Sequence, residues 1–272
     1  MEPKVPTLFT FAISHFAEKA RWALDHKRAA YEERRLLPGP HLFVTRRLAK
    51  DTSVPILVDG ERTIQGSSAI IDHCDARIVE HSLTPEAPAE RGEARELEEW
   101  LDRELGETLR RAFYVDALRH PKVVVPLFTQ GGPWWGRPFY GVAFGFVARA
   151  IRDMYAISPE RAAADRAILD AVFERTDGLL AGRRYLVGDR FSRADLTLAA
   201  LCGALFDPPE HPISWPPPEI YPPPLVELRA RWRKTRSCEH VLRMYREHRS
   251  RDVAFASDGS RPQDSAPHAI SA

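Results

Sequence analysis

The sequence predicts an α/β domain at residues 1–78 and an all-helical domain at residues 92–250. Short apolar or β-branched segments alternate with helical periodicity only in the first part of the chain. Residues 79–91 contain Pro85 and Pro88 and no periodicity, which is typical of a linker. Beyond the linker, apolar residues recur every three or four positions, as they do in amphipathic helices. A chain of 272 residues is long enough for two such cores.

The first domain has the predicted order βαβαββα. Strands are predicted at residues 7–13, 31–37, 54–58 and 62–64, and a helix follows each of the first two strands and the last one. The helix between the first two strands requires them to be parallel, whereas Asp59-Gly60 predicts an antiparallel hairpin. This order fits a thioredoxin-like sheet, although other α/β domains share parts of it. The first helix has an apolar face and a charged face, the latter consisting of Glu18, Lys19, Arg21, Asp25 and Arg28.

Two apolar stripes and one capped helix predict the helical domain. Ser192 and Asp195 form a capping-box pattern, so Asp195 is interpreted as a folding signal rather than as a catalytic group. The apolar run at residues 139–151 is shorter than a bilayer requires and predicts a buried helix. The stripes consist of Leu97, Leu101, Leu105 and Leu109, and of Ile168, Leu169, Val172, Phe173, Leu179 and Leu180.

Proline is concentrated late in the chain, with nine of the 23 prolines between Pro208 and Pro224. A helix cannot continue through such a segment. Because the segment also contains apolar residues, an ordered loop at residues 208–224 is predicted, packed on the helices. Its predicted anchors are Ile213, Trp215, Ile220 and Tyr221. Residues 251–272 have few apolar residues and are predicted to form a disordered tail.

Composition excludes several classes of function. The 39 basic and 38 acidic residues leave a net charge of +1, so no overall field favours nucleic acid. Cys74, Cys202 and Cys238 are far apart, which predicts neither a disulfide framework nor a metal site. No secretory signal pattern or membrane span is found, so a cytoplasmic protein is expected. The phosphate-loop, dinucleotide, zinc-protease and GxSxG hydrolase motifs are also missing.

Three segments resemble the cytosolic glutathione S-transferase family. SHFAEKARWAL at residues 14–24 is similar to the first helix of its serine and cysteine classes, in which the catalytic residue stands seven positions before an arginine. VPILVDG at residues 54–60, followed by GSSAIIDHCD at residues 66–75, is similar to the cis-proline strand and the glutathione-binding helix. YLVGDRFSRADLTLAAL at residues 185–201 is similar to the buried helix of the C-terminal domain. The resemblance implies the family's two-domain fold, glutathione as co-substrate, and a homodimer. No metal is expected, because the cysteine spacing offers no site for one.

Ser14 is the predicted catalytic residue, at the end of the first strand and just before a helix. Its hydroxyl can donate to the glutathione sulfur, for about 1.5 to 3 kcal/mol, and the helix N-terminus adds about 0.3 to 1 kcal/mol. Together they lower a thiol pKa, ordinarily near 8.5, by about 1.5 to 3 units. The alternative is that Ser14 is only a helix N-cap. His15 has two interpretations, a hydrogen bond to the thiolate or substrate, or a solvated histidine.

The resemblance also implies how glutathione is held. A cis bond between Val54 and Pro55 would turn the Val54 backbone outward, where it can pair with the cysteinyl unit; an ordinary trans proline is the alternative. Ser67 and Ser68 begin a helix whose N-terminus can hold the γ-glutamyl carboxylate.

At one position the chain departs from the family pattern. Gly66 stands where the family has an acidic residue that binds the glutathione ammonium, and Gln65 offers only a neutral carbonyl. The missing charge weakens glutathione binding by about 1 to 3 kcal/mol. For the glycyl carboxylate, His41, Arg46 and Arg47 are candidates, and a solvated basic face is the alternative.

A hydrophobic substrate is expected between the domains, where pockets commonly form. Most aromatic residues of the helical domain are predicted to be core. Gly131, Gly132 and Pro133 interrupt the helix beside Trp134 and Trp135. These two tryptophans and Tyr114 are therefore the candidates for contact with the substrate.

Two functions remain open. The first is a detoxification-type transferase that conjugates or isomerises a hydrophobic electrophile through a serine-stabilised glutathione thiolate. The second is a binding or scaffold protein of the same fold with weak or no catalysis, which Gly66 and the proline-rich segment favour. A glutathione-linked disulfide reductase is disfavoured because no CxxC motif occurs.

Overall fold

A computed structural model describes residues 5–249, so the tail predicted at residues 251–272 lies outside the described residues. The first part of the chain forms one four-stranded sheet in the order β2-β1-β3-β4. Strand β1 pairs parallel with β2 and antiparallel with β3, and β3 pairs antiparallel with β4. The parallel pair and the hairpin predicted from the sequence are both confirmed. The strands are β1 (Thr7–Thr10), β2 (Glu32–Arg35), β3 (Ile56–Asp59) and β4 (Arg62–Gln65).

Three helices belong to the sheet domain and eight to the helical domain of the described chain. The first three are α1 (His15–His26), α2 (Leu42–Leu48) and α3 (Ser67–Arg77). The others are α4 (Pro88–Trp100), α5 (Glu107–Ala117), α6 (Pro121–Thr129), α7 (Gly136–Met154), α8 (Pro159–Leu179), α9 (Arg193–Phe206), α10 (Pro223–Ala230) and α11 (Arg236–His248). Helix α4 begins at Pro88, so the last four residues of the predicted linker are helical. A π-helical turn, Leu101–Gly106, joins α4 to α5.

The core of the helical domain follows the apolar stripes. Leu97, Leu101, Leu105 and Leu109 are all buried, and so are most residues of the second stripe. Helix α9 is buried over nearly its whole length. It begins with the predicted capping box, in which the Ser192 amide donates to Asp195 Oδ2 at 3.1 Å. Asp195 Oδ1 accepts the Leu186 amide at 2.8 Å, so this carboxylate organises the turn that leads into α9.

Four of the five charged residues predicted for the exposed face of the first helix are buried, which the amphipathic pattern does not predict, and only Arg28, beyond the end of α1, is exposed. Glu18, Lys19, Arg21 and Asp25 are all at most a few per cent exposed. Helix α1 lies between α3 of its own domain and α9 of the helical domain. Both faces of the helix are therefore covered, and the charges on the second face must find partners inside the protein.

The prediction of a buried helix at residues 139–151 is only half correct. Tyr140, Val147 and Ile151 of α7 are buried, but Val142 is 94% exposed and Phe146 is 79% exposed. Helix α7 packs on α6 along one side only, so an apolar sequence is not covered all round. Among the described residues, no helix combines the length and the apolar character needed to cross a membrane.

The proline-rich segment is ordered and packs on the helices. Ile213 and Tyr221 are buried, whereas Ile220 is exposed and does not act as an anchor. The Gln130 side chain fixes the segment to the end of α6, since its Nε2 donates to the Ser214 carbonyl at 3.0 Å and its Oε1 accepts the Ser214 amide at 3.1 Å. Helix α10 begins at Pro223, so the last two residues of the predicted loop are helical.

Candidate functional site

A cavity of about 680 Å³ lies between the two domains. The sheet domain contributes the turn between β1 and α1, residues 38–43, Arg46, and residues 52–54. The helical domain contributes side chains from α5, α7, α9 and α10, together with Trp215 of the proline-rich segment. Most of the lining is apolar. The volume lies within the range of small-molecule sites, roughly 300 to 1,000 Å³.

Ser14 lines this cavity at the N-terminus of α1. Its Oγ accepts the Ala17 amide at 3.2 Å, so the serine caps the helix. A hydroxyl that accepts a hydrogen bond still has its own proton to donate. The cap and the catalytic interpretation are therefore compatible, because the cap uses a lone pair and the thiolate would use the proton.

Arg21 fixes the turn that carries Ser14. Its Nη2 donates to the Phe11 carbonyl at 3.0 Å and to the Ala12 carbonyl at 3.1 Å. Its Nε donates to Glu33 Oε1 at 2.6 Å, and the carboxylate thereby orients the guanidinium. The arginine seven positions after Ser14 thus positions the serine without contacting the cavity.

His15 lines the cavity next to Ser14 and is not solvated, because its Nε2 is buried without a hydrogen-bond partner. Burial, reinforced by the charge of Arg110, lowers the pKa of His15 to about 3. The imidazole is neutral at physiological pH and does not supply a second cation beside the sulfur position.

The Val54-Pro55 peptide bond is cis, as the resemblance implied. Val54 lines the cavity, but Pro55 does not. Gln65 holds the residues before this bond, since its Nε2 donates to the carbonyls of Asp51 at 2.8 Å and Ser53 at 2.9 Å. The Gln65 amide nitrogen therefore shapes the loop beside the cavity, while its Oε1 accepts the Asp51 amide at 3.4 Å.

The two serines at the start of α3 differ in their surroundings. Ser67 is buried directly after Gly66, which has a φ of +95°. Ser68 Oγ donates to Asp102 Oδ2 at 3.1 Å and accepts Lys19 Nζ at 3.1 Å. Neither serine lines the cavity, so a ligand that reached both the cavity and α3 would have to extend along the edge of the sheet domain.

Of the predicted substrate-contacting aromatic residues, only Tyr114 lines the cavity. Trp134 is 87% exposed and Trp135 is 38% exposed, and neither reaches the cavity. The turn that carries them approaches the sheet domain through its glycines, because a Cβ on Gly136 would lie 2.9 Å from Leu37 Cδ1. The sequence interpretation did not select the aromatic residues that do line the cavity, which include Phe113, Phe139, Phe146, Tyr155 and Trp215.

The charged side chains that line the cavity are all arginines, namely Arg46, Arg110 and Arg229, and no Asp or Glu lines it in the described chain. His41 also lines it, and burial lowers its pKa to about 4. Arg47 is exposed outside it. The cavity therefore combines apolar walls with a positive potential.

The three cysteines of the chain all lie in buried positions. Cys74, Cys202 and Cys238 are free and buried, and burial raises the pKa of the Cys74 thiol to about 12. A neutral buried thiol is a poor nucleophile. Within residues 5–249, no group of three or more His, Cys, Asp or Glu side chains is placed to hold a metal ion.

Family models match both domains. Residues 8–81 match the glutathione S-transferase N-terminal domain, and residues 117–221 match the glutathione S-transferase C-terminal domain. The two matches together cover roughly two thirds of the chain. No curated protein matches it.

Solved structures share the fold. A glutathione S-transferase from Rhodospirillum rubrum F11 is 23% identical with a TM-score of 0.56, over 89% of this chain and 91% of that chain. A theta class glutathione S-transferase from Xanthomonas axonopodis pv. citri, solved with glutathione bound, is 23% identical with a TM-score of 0.56, over 93% and 99% of the two chains. The beta-etherase LigF from Sphingobium sp. strain SYK-6 is 16% identical with a TM-score of 0.59, over 88% and 99%. With both domain models matched and the fold shared, the chain belongs to the glutathione S-transferase family of enzymes.

Proposed function

We propose that the protein conjugates glutathione to a hydrophobic electrophile, or isomerises one through such an adduct, with Ser14 stabilising the glutathione thiolate. The observation that carries the proposal is the position of Ser14, at a helix N-terminus that opens into a largely apolar cavity between the domains. The serine hydroxyl keeps its proton for the sulfur, and the opposite wall offers apolar surface to the second substrate. The theta class relative with glutathione bound supports glutathione as the co-substrate.

The thiolate is stabilised from two sides in this proposal. The Ser14 hydroxyl donates a charge-assisted hydrogen bond, and the free amides at the start of α1 add the positive end of the helix dipole. The stabilised thiolate then attacks the electrophilic carbon. In a substitution the leaving group departs with its electron pair, and in an addition the electron pair of the double bond takes up a proton.

Glutathione is proposed to lie along the sheet domain. The Val54 main chain makes no hydrogen bond among the described residues, which leaves its amide and carbonyl available to pair with the cysteinyl unit. The N-terminus of α3 and Ser67 would hold the γ-glutamyl carboxylate. His41 and Arg46 lie on the cavity wall near Val54 and are the proposed partners of the glycyl carboxylate.

Asp102 is the proposed replacement for the acidic side chain missing at Gly66. Its Oδ2 accepts Lys19 Nζ at 2.7 Å and Ser68 Oγ, while its Oδ1 is buried without a partner. An unsatisfied buried carboxylate oxygen is unfavourable, and the glutathione ammonium would satisfy it. We expect Asp102→Asn to weaken glutathione binding by about 10-fold while leaving the binding of N-acetylglutathione unchanged.

The proposal is tested with Ser14→Ala and a matched control. Ser158 caps α8 in the same way, since its Oγ accepts the Arg161 amide at 3.3 Å, and it lies outside the cavity. Each variant loses one helix cap, about 0.5 to 2 kcal/mol of stability. Only Ser14→Ala should lower kcat/KM for the conjugation of an aryl halide at pH 7, by about 10- to 100-fold for one lost hydrogen bond to a charged atom.

Calorimetric titration with glutathione separates the transferase from a scaffold. Binding in the micromolar to millimolar range, together with turnover that depends on Ser14, supports the transferase. If glutathione does not bind at millimolar concentration, the transferase proposal is wrong, and the binding or scaffold function remains. Full activity in Ser14→Ala would show that the thiolate is stabilised by another group.

Two further expectations accompany the proposal. The resemblance implies a homodimer, which light scattering on the purified protein would measure. A cytoplasmic location is supported by three free, buried cysteines. Fractionation of the source cells would test it.

A further inference from the structure

The helical wall of the cavity carries two arginines with hydrogen-bond donors that have no acceptor in the described chain. Within the described chain, Arg110 of α5 makes no ion pair and no hydrogen bond, and its Nε is buried without a partner. Its guanidinium carbon lies 3.9 Å from the centroid of the Tyr155 ring and 6.0 Å from that of Phe16. A guanidinium stacked on a ring face is held in place while the N–H groups in its plane stay free to donate. The fold therefore positions Arg110 without using its donors.

Arg229 of α10 provides a second such group. It is 7% exposed and stacks on Tyr221, with 4.8 Å between the guanidinium carbon and the ring centroid. Its Nη2 forms an ion pair with Asp207 Oδ2 at 3.0 Å, but without hydrogen-bond geometry, and its Nε has no partner. The Nε1 of Trp215 on the same wall is also a buried donor without an acceptor. Buried donors of this kind are costly to leave unpaired, so a ligand that accepts from them binds favourably.

The arginines on the two walls of the cavity are placed to meet different substrates. Arg46 belongs to the sheet domain and lies on the wall that glutathione is proposed to occupy. Arg110 and Arg229 belong to the helical domain, where the second substrate is expected. His15 and His41 are neutral at physiological pH, and no Asp or Glu lines the cavity in the described chain. Asp207 pairs with Arg229 from outside the lining, whereas Arg110 has no carboxylate partner in the described chain.

We propose that the second substrate is a hydrophobic electrophile that carries a carboxylate, which Arg110 and Arg229 bind, with the Trp215 N–H as a further donor. The inference rests on the proposed function, because it assigns these residues to the second substrate of the conjugation. A guanidinium matches a carboxylate with two parallel hydrogen bonds. The apolar lining, with Phe113, Tyr114 and Phe139, packs against the body of the molecule.

The test uses an unreactive pair of probes that differ only in the charge, 2-naphthylacetate and its methyl ester. Calorimetric titration of the full chain should show the carboxylate binding about 100-fold more tightly than the ester, because a charge-assisted hydrogen bond from each of the two arginines contributes about 10-fold. Arg110→Met and Arg229→Met should each reduce this preference by about 10-fold. Arg110→Lys and Arg229→Lys should keep part of it, because the charge remains while the two-pronged geometry is lost.

Arg137→Met is the matched control. Arg137 is exposed on α7 outside the cavity, so this variant changes the net charge by the same amount and should leave the preference intact. If the acid and the ester bind equally, if the acid does not bind at millimolar concentration, or if both methionine variants of Arg110 and Arg229 keep the preference, the proposal is wrong. The lysine variants preserve the test if Arg229→Met does not fold.

Saturation with S-methylglutathione distinguishes the two substrate sites. We expect the naphthyl acid to bind in its presence with unchanged affinity. Competitive displacement would assign the arginines to the carboxylates of glutathione itself and overturn the proposal. Failure of glutathione to bind would instead refute the proposed function, while the probe pair would still report on the arginines.

Discussion

The two domains meet in two regions that differ in how their buried charged side chains are partnered. Along α1, the buried charges are paired across the interface, with Lys19 Nζ 2.7 Å from Glu98 Oε1 and Arg249 Nε 2.8 Å from Glu18 Oε1. In the cavity, Arg110 and Arg229 stack on aromatic rings and keep donors without acceptors. Both regions bury cations, but within the described chain Arg110 of the cavity has no anionic partner, and Arg229 has only Asp207, 3.0 Å away. The difference teaches that the buried charges of the α1 interface are paired within the protein, whereas the cavity keeps donors that the proposal assigns to a ligand.

The largest expected loss of stability follows from removing one charged partner in the α1 interface. Glu18 accepts from Arg249 and from Arg21, whose Nη1 lies 3.2 Å from Glu18 Oε2. We expect Glu18→Gln to lower the free energy of unfolding by about 3 to 5 kcal/mol, because two buried guanidinium groups each lose one of their two carboxylate partners. Urea unfolding measures this change in the free energy of unfolding. The exposed Glu99, 4.0 Å from Arg103, is the control, and Glu99→Gln should cost less than about 1 kcal/mol. Equal losses in the two variants would contradict the account.

Paired charges also make stability depend on pH. Burial alone would raise the pKa of Glu33, but Arg21 and Arg35 outweigh it and lower that pKa from 4.5 to about 2. A carboxylate with a lowered folded-state pKa stabilises the protein fully above its unfolded pKa of 4.5 and loses this contribution as pH falls toward 2. Glu33→Gln should therefore be less stable at pH 7 and should lose less further stability between pH 5 and pH 3 than the unaltered chain. Parallel stability curves over this range would refute the interpretation.

Replacing an arginine that has no ion pair should lower the free energy of unfolding less than replacing an arginine that has ion pairs. Arg110→Met loses a cation–π contact of about 0.5 to 1 kcal/mol, and no carboxylate is left behind without a partner. We expect its free energy of unfolding to change by less than about 1 kcal/mol. Arg193 is the paired counterpart, since its side chain is 1% exposed and binds Asp72 and Glu98. Arg193→Met should cost about 3 to 5 kcal/mol, and a similar cost for Arg110→Met would remove the distinction between the regions.

The smallest change in stability and activity is expected for a substitution outside both regions. Trp134 is 87% exposed and does not line the cavity. We expect Trp134→Ala to change stability by less than about 0.5 kcal/mol and to leave KM for the electrophile unchanged. A raised KM with unchanged stability would restore Trp134 as a substrate contact.

The features that the sequence predicted well are set by neighbouring residues. The Asp59-Gly60 hairpin and the capping box at Ser192 and Asp195 each depend on a few consecutive positions. Features that depend on packing between distant elements were missed. The charged face of α1 is typical of a solvated helix until α9 covers it, and Trp134 faces outward because Gly132 and Gly136 approach Leu37 in its place.

The residues of the candidate site also fall into those that the sequence could predict and those that it could not. Ser14 could be proposed from its place between a strand and a helix, and the structure puts it at the cavity. Arg110 and Arg229 have no signal in the sequence, because an arginine on an amphipathic helix ordinarily faces water. Only the positions of Tyr155 and Tyr221 show that these two side chains are stacked on aromatic rings and keep donors without acceptors.

The most direct test of the account is the thiol pKa of bound glutathione, measured by ultraviolet absorbance of the thiolate against pH. The account predicts a pKa about 1.5 to 3 units below the ordinary value near 8.5 in the unaltered chain and in Ser158→Ala. In Ser14→Ala the pKa should return to within about 1 unit of the ordinary value, since only the helix N-terminus remains. A lowered pKa that is unchanged by Ser14→Ala would contradict the role of this serine.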